Sequence, residues 1–400
     1  MKILQLCHKP PRPSIDGGCL AMDALTKGFL EQGHEVKILS IHTPKHPFLK
    51  NKLDEEYLNV TSFESLFVET RVNIVDAFSN LLTQDSYNIS RFFSPDFDIR
   101  LKRLLQREKF DIIQFESLFM TPYLSTAKRH SKGKCVLRSH NLEYLIWRRM
   151  ADGTKNRAKK IYLKHLAKKL EVYELDVIKR VHGIVTISKE DYKKYSSLNA
   201  EESKLINIPF GINIDEYSEE NPPDELSLFH LGSLEWPPNL EGVKWFLEEI
   251  WPAIKKEFPN LVFYLAGREI PSEFNKINYP GIKVVGEVPD AKKFISSKSI
   301  MLVPVLSAGG MRVKIIEGMA LGKTILSTNL GAEGIDFIKN EDIYLANTKN
   351  EFLKHLRNFH ENPELINTQK KISRNFVCAN FDNQKLSVQL SEFYLNLLDK

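Results

Sequence analysis

Along this chain, short apolar runs rich in β-branched residues alternate with longer segments whose apolar positions recur at helical spacing. In the first half, Lys2–Leu6, His34–Ile41, Asp111–Phe115, Cys135–Ser139 and Gly183–Ile187 predict strands. Leu20–Gln32 predicts a helix, which Gly33 closes by supplying the left-handed cap of a tight helix-to-strand return. This βαβ rhythm implies a parallel sheet covered by helices on both faces. Asn51–Arg107 is longer and less regular, and reads as helices and loops appended to that sheet.

The rhythm breaks at Asn207–Pro223, where Pro209, Gly211 and the acidic, proline-rich run Glu219-Glu220-Asn221-Pro222-Pro223-Asp224 predict a linker. It restarts with strands at Leu226–Leu231, Leu261–Ala266, Ile282–Val285, Ile300–Val305, Thr324–Ser327 and Asp342–Leu345, separated by helices such as Leu240–Glu257 and Val313–Leu321. From Phe352 the tail reads as three helices, with Pro363 opening the second and Phe381-Asp382-Asn383 parting the last two. The expected organisation is a Rossmann-like domain over residues 1–212, a second over 213–380, and a closing helix over 381–400 that packs back toward the first. Two such domains create a cleft between the carboxyl ends of their strands, where open α/β sheets bind ligands.

Composition narrows the classes. The 400 residues suffice for two cores, and 42% hydrophobic with 27% charged residues is an ordinary globular balance. A net charge of +5, with no reading motif, argues against nucleic acid as a partner. The four cysteines are scattered without CxxC spacing, which argues against a zinc site or disulfide framework and fits a reducing compartment. The N-terminal apolar run ends at His8-Lys9-Pro10-Pro11, and no stretch approaches a membrane-spanning length. The expectation is a cytoplasmic protein that is not integral to a membrane. Residues 148–180 hold eleven Lys/Arg against four Asp/Glu, with Ile161, Leu166, Leu170, Tyr173 and Val177 at helical spacing. That pattern is either a solvated helix face or a peripheral contact with the inner face of an anionic membrane.

The densest chemistry lies in Pro304–Leu326. A strand ends near Val305, a Gly309-Gly310 loop follows, and a helix begins near Met311. Glycines ahead of a helix N-terminus let backbone N–H groups approach an anion. Arg312 is expected in the first helical turn, where a cation is unfavourable for the helix itself, so a bound anion would explain it. Glu317, deeper in the helix, is suited to accept hydrogen bonds from sugar hydroxyls. A tight turn with solvated charges explains the same residues, because neither G-x-G-x-x-G nor a Walker motif is present. Elsewhere, His140 and Glu116 each follow a predicted strand at its carboxyl edge, and Gly17-Gly18 precedes the first helix. Glu116 reads as an acceptor-side group or a plain strand-end carboxylate. Gly17 and Gly18 read as a close approach for phosphate or acceptor, or as a helix-entry turn.

Several segments, taken in order, give these residues a context. Asp16-Gly17-Gly18, Gly33-His34-Glu35-Val36, Arg138-Ser139-His140-Asn141-Leu142-Glu143-Tyr144, Pro209-Phe210-Gly211-Ile212-Asn213, Gly232-Ser233-Leu234-Glu235-Trp236-Pro237-Pro238-Asn239 and the Gly309–Glu317 segment resemble the group 1 (family 4) glycosyltransferases. The resemblance spans essentially the whole chain. It implies a GT-B-like α/β fold, with two doubly wound Rossmann-like domains facing across a cleft and C-terminal helices. It implies transfer of a sugar from a nucleotide-diphosphate sugar to a hydroxyl of a glycan, glycolipid or lipid-linked acceptor, in polysaccharide biosynthesis. Retention of configuration, no metal and no further cofactor are expected by the same resemblance.

By that resemblance, His140 matches the histidine that reaches the transferred sugar, and Glu317 the second of two motif glutamates, which holds the nucleotide ribose. The first glutamate falls at Gly309. Where many members carry a basic residue and then a lysine after the donor-domain glycine, this chain has Ser233 and Asn239. His140, Arg312 and Glu317 are therefore the expected catalytic set. Gly232, Ser233, Arg268, Gly309, Gly310 and Lys314 are the expected donor contacts. Lys314, two positions from Arg312, is expected to point elsewhere on the helix. The alternative is a non-catalytic GT-B protein binding a sugar nucleotide or glycan, which Gly309 permits.

Overall fold

Runs that are apolar at successive positions become inner strands of two parallel sheets in the computed structural model, which describes residues 1–70, 87–198, 200–217, 226–276, 280–307 and 310–399. The chain divides into two units, Met1–Gly211 with Asn383–Lys400, and Ile212–Asp382.

In the first unit the described strands are β1 (Lys2–Cys7), β2 (Glu35–His42), β3 (Glu64–Phe67), β4 (Ile112–Glu116), β5 (Lys134–Ser139), β6 (Gly183–Thr186) and β7 (Leu205–Asn207), all parallel, in the order β3-β2-β1-β4-β5-β6-β7. Alternate residues serve opposite faces. Leu4, Leu6, Ile113, Phe115 and Leu137 pack into one core, while Ile3, Ile38, Ile112, Val136 and Val185 pack into another. The second core is completed by Leu386, Leu390, Phe393, Tyr394 and Leu397 of the last helix, Asn383–Leu398. That helix lies against Gly17–Glu31. A Cβ on Gly28 would fall 2.5 Å from Ser387 Oγ, and Asn383 Nδ2 donates to the Ala24 carbonyl at 2.6 Å.

The irregular stretch 51–107 contributes an edge strand, β3, that its sequence pattern does not announce. Its four residues are half-buried or exposed, so no apolar run marks them. Helix Pro95–Arg107 in the same stretch starts at Ser94, whose side chain accepts from Phe97 N. The acidic run Glu219–Asp224 of the expected linker lies outside the described residues.

The second unit repeats the topology with β8 (Ser227–Leu231), β9 (Val262–Ala266), β10 (Ile282–Gly286), β11 (Ile300–Val303), β12 (Thr324–Ser327) and β13 (Tyr344–Leu345), parallel in the order β10-β9-β8-β11-β12-β13. The segment expected as one helix over Leu240–Glu257 is helical from Pro237 to Trp245, passes through a π turn at Phe246–Ile250, and resumes as Trp251–Glu257. Pro252, lacking a donor N–H, sits in the first turn of the last piece, and the wider turn absorbs the missing bond. Helix Val313–Ala320 starts where the helix over Val313–Leu321 was expected to, and packs on Glu364–Asn380. Arg374 of that second helix donates to the carbonyls of Tyr217 (2.6 Å) and Ala320 (2.8 Å). Among the described residues, no helix is long and apolar enough to cross a membrane.

Candidate functional site

In each sheet the strand order reverses once, between β1 and β4 and between β8 and β11. Ligands of open α/β sheets bind at the carboxyl edge of that switch point.

In the second unit the switch point is floored by two glycines. Gly267 follows β9 with φ +146°, and a Cβ there would lie 1.9 Å from the Gly232 carbonyl oxygen, so only glycine lets the two loops meet. Gly232 N donates to Ala266 O at 3.0 Å and Leu234 N to Arg268 O at 3.1 Å. Three polar groups converge on Gly232. A Cβ on it would fall 2.8 Å from Asn239 Nδ2, 3.0 Å from Lys314 Nζ and 3.3 Å from His230 Nε2. Asn239 Nδ2 donates to Ser233 O at 2.9 Å, and Lys314 Nζ donates to Asn239 Oδ1 at 3.1 Å and to Leu231 O at 3.3 Å. His230 Nδ1 lies 3.0 Å from Leu302 O, so it carries the ring proton and leaves Nε2 as an acceptor. Burial, then the Lys314 charge, hold His230 neutral. Burial and the neighbouring Arg312 lower Lys314 to about 7.

Lys314 therefore turns toward the Gly232 loop. It does part from Arg312, for a reason other than helical spacing. Arg312 is the N-cap, with φ −95° and ψ 94°, and the helix begins at Val313. This corrects the expectation of Arg312 in the first turn: the chain stays extended until Ile315 N finds Arg312 O. Arg312 is 7% exposed, lies over Trp236 at 5.3 Å, and donates through Nη1 to the Gly310 carbonyl. Burial lowers it to about 10, so it remains a cation that braces the loop. Gly310 has φ +87°; Gly309 lies outside the described residues. Arg268 shapes the Gly232 turn through its main chain, and its side chain is exposed.

Lys314 and Glu317 are three residues apart on one helix face and partly exposed, while Val313, Ile315, Ile316, Gly318 and Met319 are buried. Glu317 Oε1 accepts from the Tyr217 hydroxyl at 3.0 Å. Burial raises its carboxyl, with the Tyr217 bond opposing.

In the first unit, Cys7 of β1 faces Glu116 of β4, which faces Arg138 of β5. Glu116 is completely buried, which corrects its reading as an acceptor-side group: strands flank it on both sides and no surface reaches it. Its Oε2 lies 2.8 Å from His140 Nε2, Arg138 Nη1 is 3.5 Å from Oε1, and Gln114 Nε2 donates to Oε1. The Gln114 carbonyl oxygen accepts from the hydroxyl of Tyr394. Burial opposes ionisation of Glu116, but Arg138 and the His140 and Gln114 bonds outweigh it and hold the carboxyl at about 2. An ionised carboxylate only accepts, so His140 Nε2 carries the proton and Nδ1 of the neutral ring is an acceptor. Burial lowers the His140 pKa against the pull of Glu116.

Aromatic edges confine this ring: His8 stands 5.5 Å from it and Phe210 5.1 Å, both edge-on. The preceding Ser139 is fixed by the Tyr195 hydroxyl, which lies 2.9 Å from Ser139 Oγ and 3.3 Å from buried Glu174 Oε1. Gly17 opens the first helix and Gly18 follows it. Asp16 caps that helix through Cys19 N (2.9 Å) and binds Lys9 (2.7 Å) and His46 (3.0 Å). A Cβ on Gly18 would fall 2.8 Å from Lys9 Nζ, so its bareness admits the Lys9–Asp16 pair.

Sequence reasoning missed His8, His230, Gly267 and Tyr394. A glycine directly after a predicted strand, Ala266-Gly267-Arg268, is a usable signal for Gly267. None exists for Tyr394, which reaches Gln114 across 280 positions.

Comparison with known proteins adds a third line. Residues 17–216 match the model of Glycosyltransferase Family 4, and residues 225–362 that of Glycosyl transferases group 1. An uncharacterized 44.6 kDa protein in the cps region of Klebsiella pneumoniae is 24% identical, over 96% of this chain and 97% of its own. Sucrose-phosphate synthase from Thermosynechococcus elongatus superposes with a TM-score of 0.72 at 14% identity, over 100% of both chains. HepE of Anabaena, solved with UDP-glucose, superposes with a TM-score of 0.64 at 12% identity, over 98% of each chain. Both likenesses are of fold, which is GT-B.

Proposed function

The chain is a member of the group 1, family 4 glycosyltransferases, and on that premise we propose that it moves a sugar from a nucleotide-diphosphate sugar held by its second unit to an acceptor hydroxyl. The observation that carries this reading is the pairing of Lys314 and Glu317 on one half-exposed helix face beside the Gly232–Gly267 loops. Charge that builds on the leaving diphosphate meets the Lys314 ammonium and loop N–H groups, and Glu317 accepts from ribose hydroxyls. Lys314 supplies the cation that Ser233 and Asn239 do not, and Arg312 holds the Gly310 loop in place. His140, with its proton committed to Glu116, offers Nδ1 to a hydroxyl of the transferred sugar.

Independence from metal ions belongs to the same proposal, since a lysine at the diphosphate supplies what a divalent ion otherwise would, and retention of configuration is proposed from the family alone. HepE's UDP-glucose makes uridine nucleotides the first donors to try. The relative from a cps region suggests a role in polysaccharide assembly. Helix Arg157–Arg180 would then hold the enzyme against an anionic bilayer carrying the acceptor.

Thermal-shift titration with UDP, GDP, ADP, TDP and their sugars tests the donor site. A ligand at 100 times its dissociation constant stabilises by about 2.7 kcal/mol. The expected result is a shift for one base, abolished in Lys314→Ala and Glu317→Ala and unchanged by EDTA. A shift that survives both substitutions sinks this site. Gly309 in place of the first motif glutamate favours a second reading, a sugar-nucleotide-binding protein without transfer. Nucleotide binding with neither donor hydrolysis nor transfer would establish that reading.

A further inference from the structure

The loop that carries His140 is tied at both ends to one buried carboxyl. It leaves β5 at Ser139 and enters helix Glu143–Gly153, whose cap residue, Leu142, offers no side-chain acceptor to the first amides of the helix. Those amides find their acceptor on a different helix. Glu174, completely buried on Arg157–Arg180, accepts from Glu143 N at 3.4 Å through Oε1 and from Tyr144 N at 3.3 Å through Oε2. At the other end of the loop stands Tyr195, also completely buried. Its hydroxyl lies 3.3 Å from Glu174 Oε1 and 2.9 Å from Ser139 Oγ. Ser139 Oγ in turn lies 2.9 Å from the carbonyl oxygen of Asn141, the residue after His140.

The order of these atoms fixes where each proton lies. A carbonyl only accepts, so Ser139 commits its proton to Asn141 and presents a lone pair to Tyr195. Tyr195 then donates its single hydroxyl proton to Ser139. The remaining contact, between Tyr195 Oη and Glu174 Oε1, needs a proton from Glu174. With Glu174 ionised the chain reverses: Tyr195 donates to Glu174, Ser139 donates to Tyr195, and the Asn141 carbonyl loses its donor. The surroundings agree with the neutral form. Two amides and a hydroxyl meet Glu174, none of them a cation. Burial, then the nearby Glu143 carboxyl, push its pKa well up. Asp191 adds further negative charge beside Glu143 and Tyr195.

We propose that Glu174 is a positioning residue for sugar transfer, standing as a neutral carboxylic acid that holds the His140 loop through Tyr195 and Ser139. Its purpose rests on the glycosyltransferase reading, whereas its protonation rests on the hydrogen-bond order alone. Glu116 orients the imidazole ring, and Glu174 fixes the backbone that carries it.

Three variants of the full chain test this. Tyr195→Phe removes the middle hydroxyl and keeps the ring. Glu174→Gln keeps a donor for Tyr195 and an acceptor for Tyr144 N, and Glu174→Leu removes both. The infrared spectrum of the wild type should show a protonated-carboxyl C=O band that is lost in Glu174→Gln. By proton NMR, the His140 Nε2–H held on Glu116 should exchange with water about tenfold faster in Tyr195→Phe and Glu174→Leu, and Glu174→Gln should restore the slow rate. Hydrolysis of UDP-, GDP-, ADP- or TDP-glucose should follow the same order, with kcat about tenfold lower and KM unchanged in Tyr195→Phe. No carboxyl band lost in Glu174→Gln, or exchange there as fast as in Glu174→Leu, overturns the neutral acid. Unchanged exchange and kcat in Tyr195→Phe overturn the positioning role. If the spectra change as expected while no donor is hydrolysed, the transferase reading fails and the protonated link to the loop stands.

Discussion

At the scale of single residues, the decisive feature is how burial and neighbours set protonation. Glu116 is a positioning residue: sealed in the sheet and held at about 2, it acts only through His140. Lys314 is the opposite case, an amine lowered to about 7 by burial and by Arg312. Because its folded-state value is depressed, it is charged below pH 7 and neutral above. A diphosphate binds the charged form, so nucleotide affinity should be flat below pH 7 and fall as pH rises through it, by about tenfold between pH 7 and 8.5. Calorimetric titration of the nucleotide across pH checks this, with Lys314→Met expected to flatten the profile. A wild-type profile as flat as that of the variant would remove Lys314 from the diphosphate site.

At the scale of elements, the second unit's site depends on two loops meeting without side chains. Gly267→Ala faces both positive φ and a carbonyl 1.9 Å from the new Cβ, whereas Gly286→Ala faces positive φ of +81° with nothing within 4 Å. Backbone strain alone costs about 1–2 kcal/mol, so Gly286→Ala measures the strain and Gly267→Ala the strain plus the clash. Denaturant melts should show Gly267→Ala destabilised by about 3 kcal/mol or more, with nucleotide binding lost. Equal losses in the two variants would mean that the loops separate freely. The helices show a similar logic. Val313–Ala320 begins where Arg312 ceases to be extended, and that one backbone choice sends Lys314 to the Gly232 loop and leaves Arg312 beneath the Gly310 loop.

At the scale of the whole molecule, charge is small in sum and uneven in place. The chain carries a net +5, yet residues 148–180 alone hold eleven Lys/Arg against four Asp/Glu. Helix Arg157–Arg180 buries Leu163, Leu166, Leu170 and Val177, while Ile161 is 71% and Val172 63% exposed. Ile161, which shares the helical spacing of Leu166, Leu170 and Val177, stands in solvent among lysines. Apolar side chains ringed by cations suit the interface of an anionic bilayer. Co-sedimentation with vesicles rich in phosphatidylglycerol should capture the protein at low salt and release it at high salt. Ile161→Glu with Lys160→Glu should abolish capture, and binding that ignores both salt and charge reversal would refute the contact.

Much of the architecture was written in the sequence, because burying a parallel strand on both faces leaves an uninterrupted apolar run. β1, β4, β5, β9 and β11 could be read directly, and with them the doubly wound class. β3 and β7 could not, since short or half-exposed strands leave no such run. At the site, sequence marked residues by type and position: His140, Glu116, Arg312, Lys314, Glu317 and the glycines around them. What each faces was decided by the fold. Burial made the strand-end carboxylate Glu116 the partner of His140, an extended N-cap parted Arg312 from Lys314, and β9 carried Gly267 to Gly232. The reason is physical. Local pattern records which face of an element is apolar, whereas protonation, tautomer and reach depend on groups brought close from distant positions, as Tyr394 is to Gln114.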